Sequence, residues 1–334
     1  MADFRMPAEW EPQSSTWTSW PHNVETWPEN LAQAQSEFVA LVKAIANSQP
    51  AMVIAPPTEI ENVKSHFSGD GNVQILPITT NDAWARDYAP TFVKDQSGEL
   101  VAIDWYYNAW GGKYPPFDSD QQVAKAVADF LGIRHLAAGL CCEGGAIEIN
   151  SGGVLLTTES CLLNPNRNAG LSRHQVETFL KSRLGCQRVV WLPGDVAGSE
   201  TLIGDDTDGH VDQLARFVDD ITIVHAWVKE SDPRHQSLTL NMDALRNQMP
   251  DVKLVPLMLP DPLEYCQRHI PASYCNFLIT NDSVIVPQFD VPADKQAVET
   301  LADLFTARKI LPLPSRNIAV GLGSFHCLTQ QQPK

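Results

Sequence analysis

Phe277-Leu-Ile-Thr-Asn-Asp-Ser-Val-Ile-Val-Pro287 leads through a short loop to Pro292-Ala-Asp-Lys-Gln-Ala-Val-Glu-Thr-Leu-Ala-Asp-Leu-Phe-Thr-Ala-Arg308 and then to Ile310-Leu-Pro-Leu313. Residues 277–280 and 284–287 are two short apolar runs separated by Asn281, Asp282 and Ser283, and they read as a β-hairpin. Residues 292–308 read as a helix and 310–313 as a third strand. The same order of hairpin, helix and strand recurs upstream. Residues 211–218 and 221–224 turn at Asp219 and Asp220, with a helix at 233–248 and a strand at 252–257. Residues 146–149 and 154–157 flank Asn150-Ser-Gly-Gly153, which is strong turn chemistry, before a serine-capped helix at 172–184 and a strand at 188–192. Residues 91–93 and 100–105 flank a turn at 95–98, before a helix at 118–131 and a strand at 133–136. Four units of this kind, with little sequence identity between them, predict an α/β domain built from ββαβ units in a ring-like arrangement. The hairpins argue against a doubly wound sheet, which needs strict βαβ alternation. No linker-like or low-complexity tract divides the chain, so residues 1–334 read as a single domain.

Upstream of the first unit, residues 9–28 carry Trp10, Trp17, Trp20 and Trp27 among prolines and polar residues, and read as an irregular, aromatic-rich opening. Helical spacing follows over residues 29–47, then a strand at 51–55, a helix near 59–67 and a strand near 73–77. The formal net charge of −16, from 40 acidic and 24 basic residues, argues against nucleic acid and anionic membranes as partners and permits a cationic substrate. No apolar run reaches the ~20 residues of a membrane span, and the N-terminus has no signal-like pattern. The seven cysteines include no Cys-x-x-Cys pair, which points to a reducing, cytoplasmic location.

Five segments concentrate reactive side chains. Gly321-Leu-Gly-Ser-Phe-His-Cys327 presents a cysteine behind a glycine-rich approach; Cys327 is either an inert buried thiol or a nucleophile. His210-Val-Asp212, read as the start of a strand, places His210 and Asp212 on one face, as a proton-transfer pair or as a solvated His beside an acid. Glu143 precedes Gly144 and Gly145 and can support a catalytic imidazole or be a turn glutamate. Within Asn81-Asp-Ala-Trp-Ala-Arg-Asp87, Asp87 can grip a cation with Trp84 as a π face, or pair with Arg86. Glu159-Ser-Cys-Leu-Leu-Asn-Pro-Asn-Arg-Asn168 is the fifth. The Asp205–Asp212 cluster lacks the calcium-loop pattern. No dinucleotide, Walker or zinc signature occurs, so neither cofactor nor metal is predicted. A thiol, a histidine and three carboxylates suit a substrate whose reacting centre is itself a cation. A guanidinium offers paired N–H donors to carboxylates and an electrophilic carbon to a thiolate.

These segments, with Trp10-Glu11, Thr18-Ser-Trp-Pro21, Asn108-Ala-Trp-Gly-Gly-Lys113, Leu156-Thr-Thr-Glu-x-Cys-Leu-Leu-Asn164, Asp208-Gly-His-Val-Asp212 and His326-Cys-Leu-Thr-Gln-Gln331, resemble the agmatine deiminase and peptidylarginine deiminase-like family of the guanidine-modifying (pentein) superfamily. The resemblance spans nearly the whole chain. It implies a five-bladed α/β propeller around a central active site, and hydrolysis of agmatine to N-carbamoylputrescine and ammonia through an amidino-cysteine. It further implies Cys327 as nucleophile, His210 as general acid and base with Glu143 as its acidic partner, and Asp87 and Asp212 as holders of the guanidinium. Trp84 resembles a wall of the substrate channel, and Asp206 falls near the substrate's distal end. Deimination of arginine or peptidyl-arginine, amidino transfer, and non-catalytic guanidine or protein binding remain as alternatives, and homo-oligomerisation is left open. Two places depart from the family pattern. Ser324 and Phe325 stand where Asn and Ile are usual, and are expected to alter the pocket wall. The loop at 194–204 is expected to line the substrate's tail.

Overall fold

Residues 148–192 show how the sequence builds one unit. Glu148–Ile149 pairs antiparallel with Val154–Thr158, and Arg188–Leu192 returns parallel to the second of these. The connection is the helix Arg173–Leu184. Its N-terminus is closed by a capping box, in which Ser172 Oγ accepts from Gln175 N–H and the Gln175 side chain accepts from Ser172 N–H; such caps satisfy donors that a helix start otherwise leaves orphaned. Val176, Leu180 and Leu184, four residues apart, are its buried residues. Gly185 ends it at φ +69°, where a Cβ would lie 1.7 Å from the Phe4 carbonyl oxygen, so no other residue fits without backbone movement.

The computed structural model describes residues 3–196 and 201–334. Three further units follow the same plan. Thr91–Asp95 and Leu100–Tyr106 are followed by the helix Val123–Leu131 and the parallel strand Arg134–Cys141. Ala215–Asp219 and Thr222–Trp227 are followed by His235–Gln248 and Lys253–Met258. Leu278–Ile279 and Ser283–Gln288 are followed by Ala293–Leu304 and Lys309–Pro314. The fifth joins the two ends of the chain. Thr329–Pro333 pairs antiparallel with Gln13–Ser19, the helix Leu31–Ala46 follows, and Ala51–Ala55 runs parallel to Gln13–Ser19, with Val73–Pro77 added outside it. The units form the five-bladed propeller expected of the sequence.

Gln13–Ser19 falls inside the segment read as irregular. Its polar composition obscured a strand that is almost wholly buried at the centre of its sheet. Most of the polar groups, Ser19 Oγ excepted, are satisfied there: Thr18 donates to the Leu328 carbonyl at 2.7 Å, and Trp17 Nε1 donates to Gln332 Oε1 at 2.8 Å. Buried polar side chains are tolerated when paired in this way. A second correction concerns His210 and Asp212. Val211–Leu214 is one helical turn, and the strand begins only at Ala215. The two side chains therefore converge through a turn and not through strand alternation. All seven cysteines are unpaired.

Candidate active site

Short turns precede the first strand of each blade, and these turns build the site. Ala85–Tyr88 carries Asp87 ahead of Thr91. Glu143 starts the turn Gly144–Ala146 ahead of Glu148. His210 starts Val211–Leu214, which carries Asp212 ahead of Ala215. Asn276 closes Tyr274–Asn276 ahead of Leu278. Residues 324–328 turn through the Leu328 N–H to Ser324 carbonyl bond and present Cys327 ahead of Thr329. Five sheets thus deliver Asp87, Glu143, His210, Asp212, Asn276 and Cys327 to one centre.

Asp87 is held by the Gly145 N–H at 2.9 Å and by Trp110 Nε1 at 3.0 Å. Burial pushes its carboxyl up to about 6, with Asp212 and Glu143 adding to the rise and His210 opposing it. His210 is fully buried. Its Nδ1 lies 3.9 Å from Asp87 Oδ1 and its Nε2 lies 3.8 Å from Glu143 Oε2. Both separations exceed hydrogen-bond length, and neither ring nitrogen has a hydrogen-bond partner. Burial opposes the imidazolium, but Asp87, Cys161 and Glu143 outweigh it and hold the His210 pKa well above its ordinary value. Glu143 is anchored from the other side, where Arg167 Nε donates to Oε1 at 2.6 Å. Gly145 is required for this convergence. A Cβ there would stand 2.6 Å from His210 Nδ1 and 2.9 Å from Asp87 Oδ1.

Asp212 Oδ2 bonds His326 Nδ1 at 2.7 Å and accepts from Asn276 Nδ2 at 3.2 Å. Burial raises its pKa, but the bond and charge of His326 override that and hold it below the usual carboxylate range. Cys327 Sγ is 3.7 Å from Asp212 Oδ2 and accepts from Asn276 Nδ2 at 3.2 Å. Burial, then Asp212 and Asp87, push the thiol well above its ordinary pKa. Beneath this layer, His326 Nε2 bonds Glu9 Oε2 at 2.8 Å, and Arg216 lies between Glu9 and Glu148 at 2.6 and 3.0 Å.

A cavity of about 680 Å³ opens onto the cluster, within the usual range of small-molecule sites. Trp84, Asp87, Trp110 and Cys327 line its depth, and Asp206, with Lys113, Tyr114 and Arg268, also lines it. His210 and Asp212 stand behind Asp87 and Cys327 and are not part of the lining. Trp84 packs on Trp27 at 5.4 Å between ring centres. The Asp206 carboxylate accepts from the Tyr114 hydroxyl; burial, then Asp205, pushes it up to about 6. Ser324 and Phe325 do not shape the wall as expected. Ser324 Oγ bonds Ser315 Oγ at 2.6 Å, and Phe325 is fully buried in the apolar core. Of the loop at 194–204, residues 197–200 lie outside the described residues, and its other residues are absent from the lining.

Of the site residues expected from the sequence, Trp84, Asp87, Asp206 and Cys327 line the cavity, whereas Glu143, His210 and Asp212 do not. Asn276, Trp110 and Glu9 were not singled out, and His326 and Arg167 were given no role in the site. Asn276 had a findable signal, since it immediately precedes a predicted hairpin, as Glu143 does. Glu9 had none, because its closest side-chain partners, Arg216 and His326, lie more than 200 residues away in sequence.

A central acidic cavity, a buried cysteine and a five-bladed propeller together define a guanidine-modifying, pentein-type protein. The model of the Porphyromonas-type peptidyl-arginine deiminase family matches residues 5–333, and the chain belongs to that family. An agmatine deiminase of Ectopseudomonas mendocina is 38% identical, over 99% of this chain and 95% of its own. The structure of an agmatine deiminase of Enterococcus faecalis superposes with a TM-score of 0.92 at 30% identity, covering 99% of this chain and 96% of its own. A C315S agmatine deiminase of C. jejuni with substrate bound gives 0.91 at 31%, with the same coverage.

Proposed function

We propose that the chain, acting as one catalytic domain, hydrolyses agmatine to N-carbamoylputrescine and ammonia. The observation that carries this is the pair of buried carboxylates, Asp87 and Asp212, flanking the Cys327 thiol beside an unpartnered His210. Two carboxylates buried side by side call for a cation, and a planar guanidinium can donate hydrogen bonds to both at once. The guanidinium binds with its carbon over Cys327. Its charge offsets the carboxylates, which lowers the thiol pKa. The thiol proton is released to solvent, sulfur attacks the carbon, and the departing nitrogen takes a proton from the His210 imidazolium, which is left neutral. Ammonia leaves and a cationic amidino-thioether remains. Neutral His210 then accepts a proton from water as its oxygen attacks the same carbon. The C–S bond breaks, the remaining hydroxyl proton passes to sulfur, and the ureido product leaves with the thiol and the imidazolium restored. Glu143, held by Arg167, stabilises the His210 imidazolium.

Asp206 would receive the distal ammonium of agmatine. Asp206→Asn is expected to raise the KM for agmatine about tenfold, the loss of roughly one charge-assisted contact, with kcat changed little. Arg268 beside the cavity favours a second reading, in which the distal group is the carboxylate of arginine. A panel of agmatine, arginine, methylated arginine and peptidyl-arginine, scored by ureido product, separates the two; agmatine is expected to give the highest kcat/KM, and a faster arginine or peptidyl-arginine would overturn the assignment.

The Asp87 carboxyl at about 6 sets a pH dependence. Below that pH Asp87 binds a proton and loses its grip on the cation, so kcat/KM falls as pH drops through 6. Bound guanidinium favours the ionised form, so the acid limb of kcat lies at lower pH than that of kcat/KM. Coincident limbs would contradict the role given to Asp87.

A further inference from the structure

We propose that Glu143, Cys161 and His210 form an inhibitory binding site for a thiophilic divalent cation of the Zn²⁺ class. One ligand atom from each lies within 4.8 Å of the others. Glu143 Oε2 is 3.8 Å from His210 Nε2 and 3.8 Å from Cys161 Sγ. Zinc binds thiolate at about 2.3 Å and imidazole or carboxylate at about 2.0–2.2 Å, so tetrahedral ligand atoms stand roughly 3.3–3.8 Å apart. Both separations from Glu143 Oε2 therefore sit at the spacing that an ion between the three atoms requires, and the Cys161–His210 pair closes the triangle within 4.8 Å. His210 Nε2, fully buried, has no hydrogen-bond partner and faces this gap.

The surroundings suit a metal site as well. Metal-bound imidazoles commonly have a carboxylate at the other ring nitrogen, and Asp87 Oδ1 faces His210 Nδ1 at 3.9 Å. Bound carboxylates are themselves held, and Arg167 fixes the other oxygen of Glu143. Three protein ligands leave a fourth position for water. The other buried histidine–carboxylate cluster, Glu9, Glu148 and His326, offers no such gap. Both His326 nitrogens are already bonded and Arg216 lies between the two glutamates. Binding converts the Cys161 thiol to thiolate, its proton passing to solvent. The ion also occupies His210 Nε2. Binding needs only the geometry above, whereas inhibition rests on the proposed acid–base role of His210.

The test titrates the full chain with Co²⁺ as a spectroscopic probe, in wild type, Cys327→Ala and Cys161→Ala. Wild type and Cys327→Ala are expected to bind one Co²⁺ per chain with a near-ultraviolet thiolate-to-cobalt band, which Cys161→Ala lacks. Zn²⁺ should displace Co²⁺. Its affinity should fall in Cys161→Ala by more than the roughly 10–100-fold that loss of an outer partner costs. A band that persists in Cys161→Ala, or is missing from wild type or Cys327→Ala, overturns the site. If Cys161→Ala does not fold by circular dichroism, the wild type and Cys327→Ala spectra decide it, and Cys161→Ser supplies the missing arm. In a parallel assay, Zn²⁺ at the concentration that fills the site should abolish wild-type turnover. Full binding with undiminished turnover would leave the site standing and overturn the role given to His210.

Discussion

Cys327→Ala is expected to lose at least about 10⁴-fold in kcat, the scale seen when a covalent nucleophile is removed, while the fold and agmatine binding persist. The other cysteines cannot substitute. Cys161 and Cys142 are fully buried, their thiols pushed up by burial and by Glu143, and neither lines the cavity. Cys327 differs in having Asn276 against its sulfur and Asp87 and Asp212 within electrostatic reach. The side chain is small, so truncation leaves little void and removes mainly the sulfur. Tighter binding of agmatine by the variant would agree with the account. A rate within tenfold of wild type would refute the covalent mechanism.

His210→Gln is expected to cost about 10²–10⁴-fold in kcat, the usual contribution of a positioned acid–base group. Glutamine keeps a polar group near the Nε2 position but cannot carry a proton between sulfur, nitrogen and water. The loss should exceed that from a merely positional residue, and the variant's remaining pH profile should lack the alkaline limb that titration of His210 imposes. Because Glu143 and Asp87 both lose the charge that faces them, stability should fall as well. The two effects separate when kcat is measured well below the melting temperature. A variant with altered Tm but an unchanged alkaline limb would place the proton transfer elsewhere.

Much of the fold was legible because each unit's helix and third strand are local in sequence. The strands Ala51–Ala55, Val73–Pro77 and Arg188–Leu192 lie where their residues predict. The fifth unit was hidden, since its hairpin joins Gln13–Ser19 to Thr329–Pro333 across the whole chain. No periodicity links two strands so far apart, and the polar Gln-Ser-Ser-Thr-Trp-Thr-Ser run looks like a loop until its partners are present. The site was legible wherever several reactive side chains fall close together, as at His210 and Asp212, although a helical turn and not a strand brings those two together. Single residues whose meaning is wholly spatial were not. Glu9 becomes intelligible only beside His326 and Arg216, and Phe325 only once the core that takes it is known. Ser324 and Phe325 therefore lie away from the cavity wall, whereas Asp206 and Arg268 line it.

The central claim is the covalent step at Cys327. Wild-type protein turning over agmatine should be quenched in acid, digested, and its peptides weighed. The peptide that contains Cys327 is expected to carry the mass of agmatine less ammonia, on the sulfur, and to lose it when substrate is exhausted before quenching. An adduct on Cys161 or another residue, or steady turnover with no adduct on any peptide and a rate unaffected by Cys327→Ala, would contradict it.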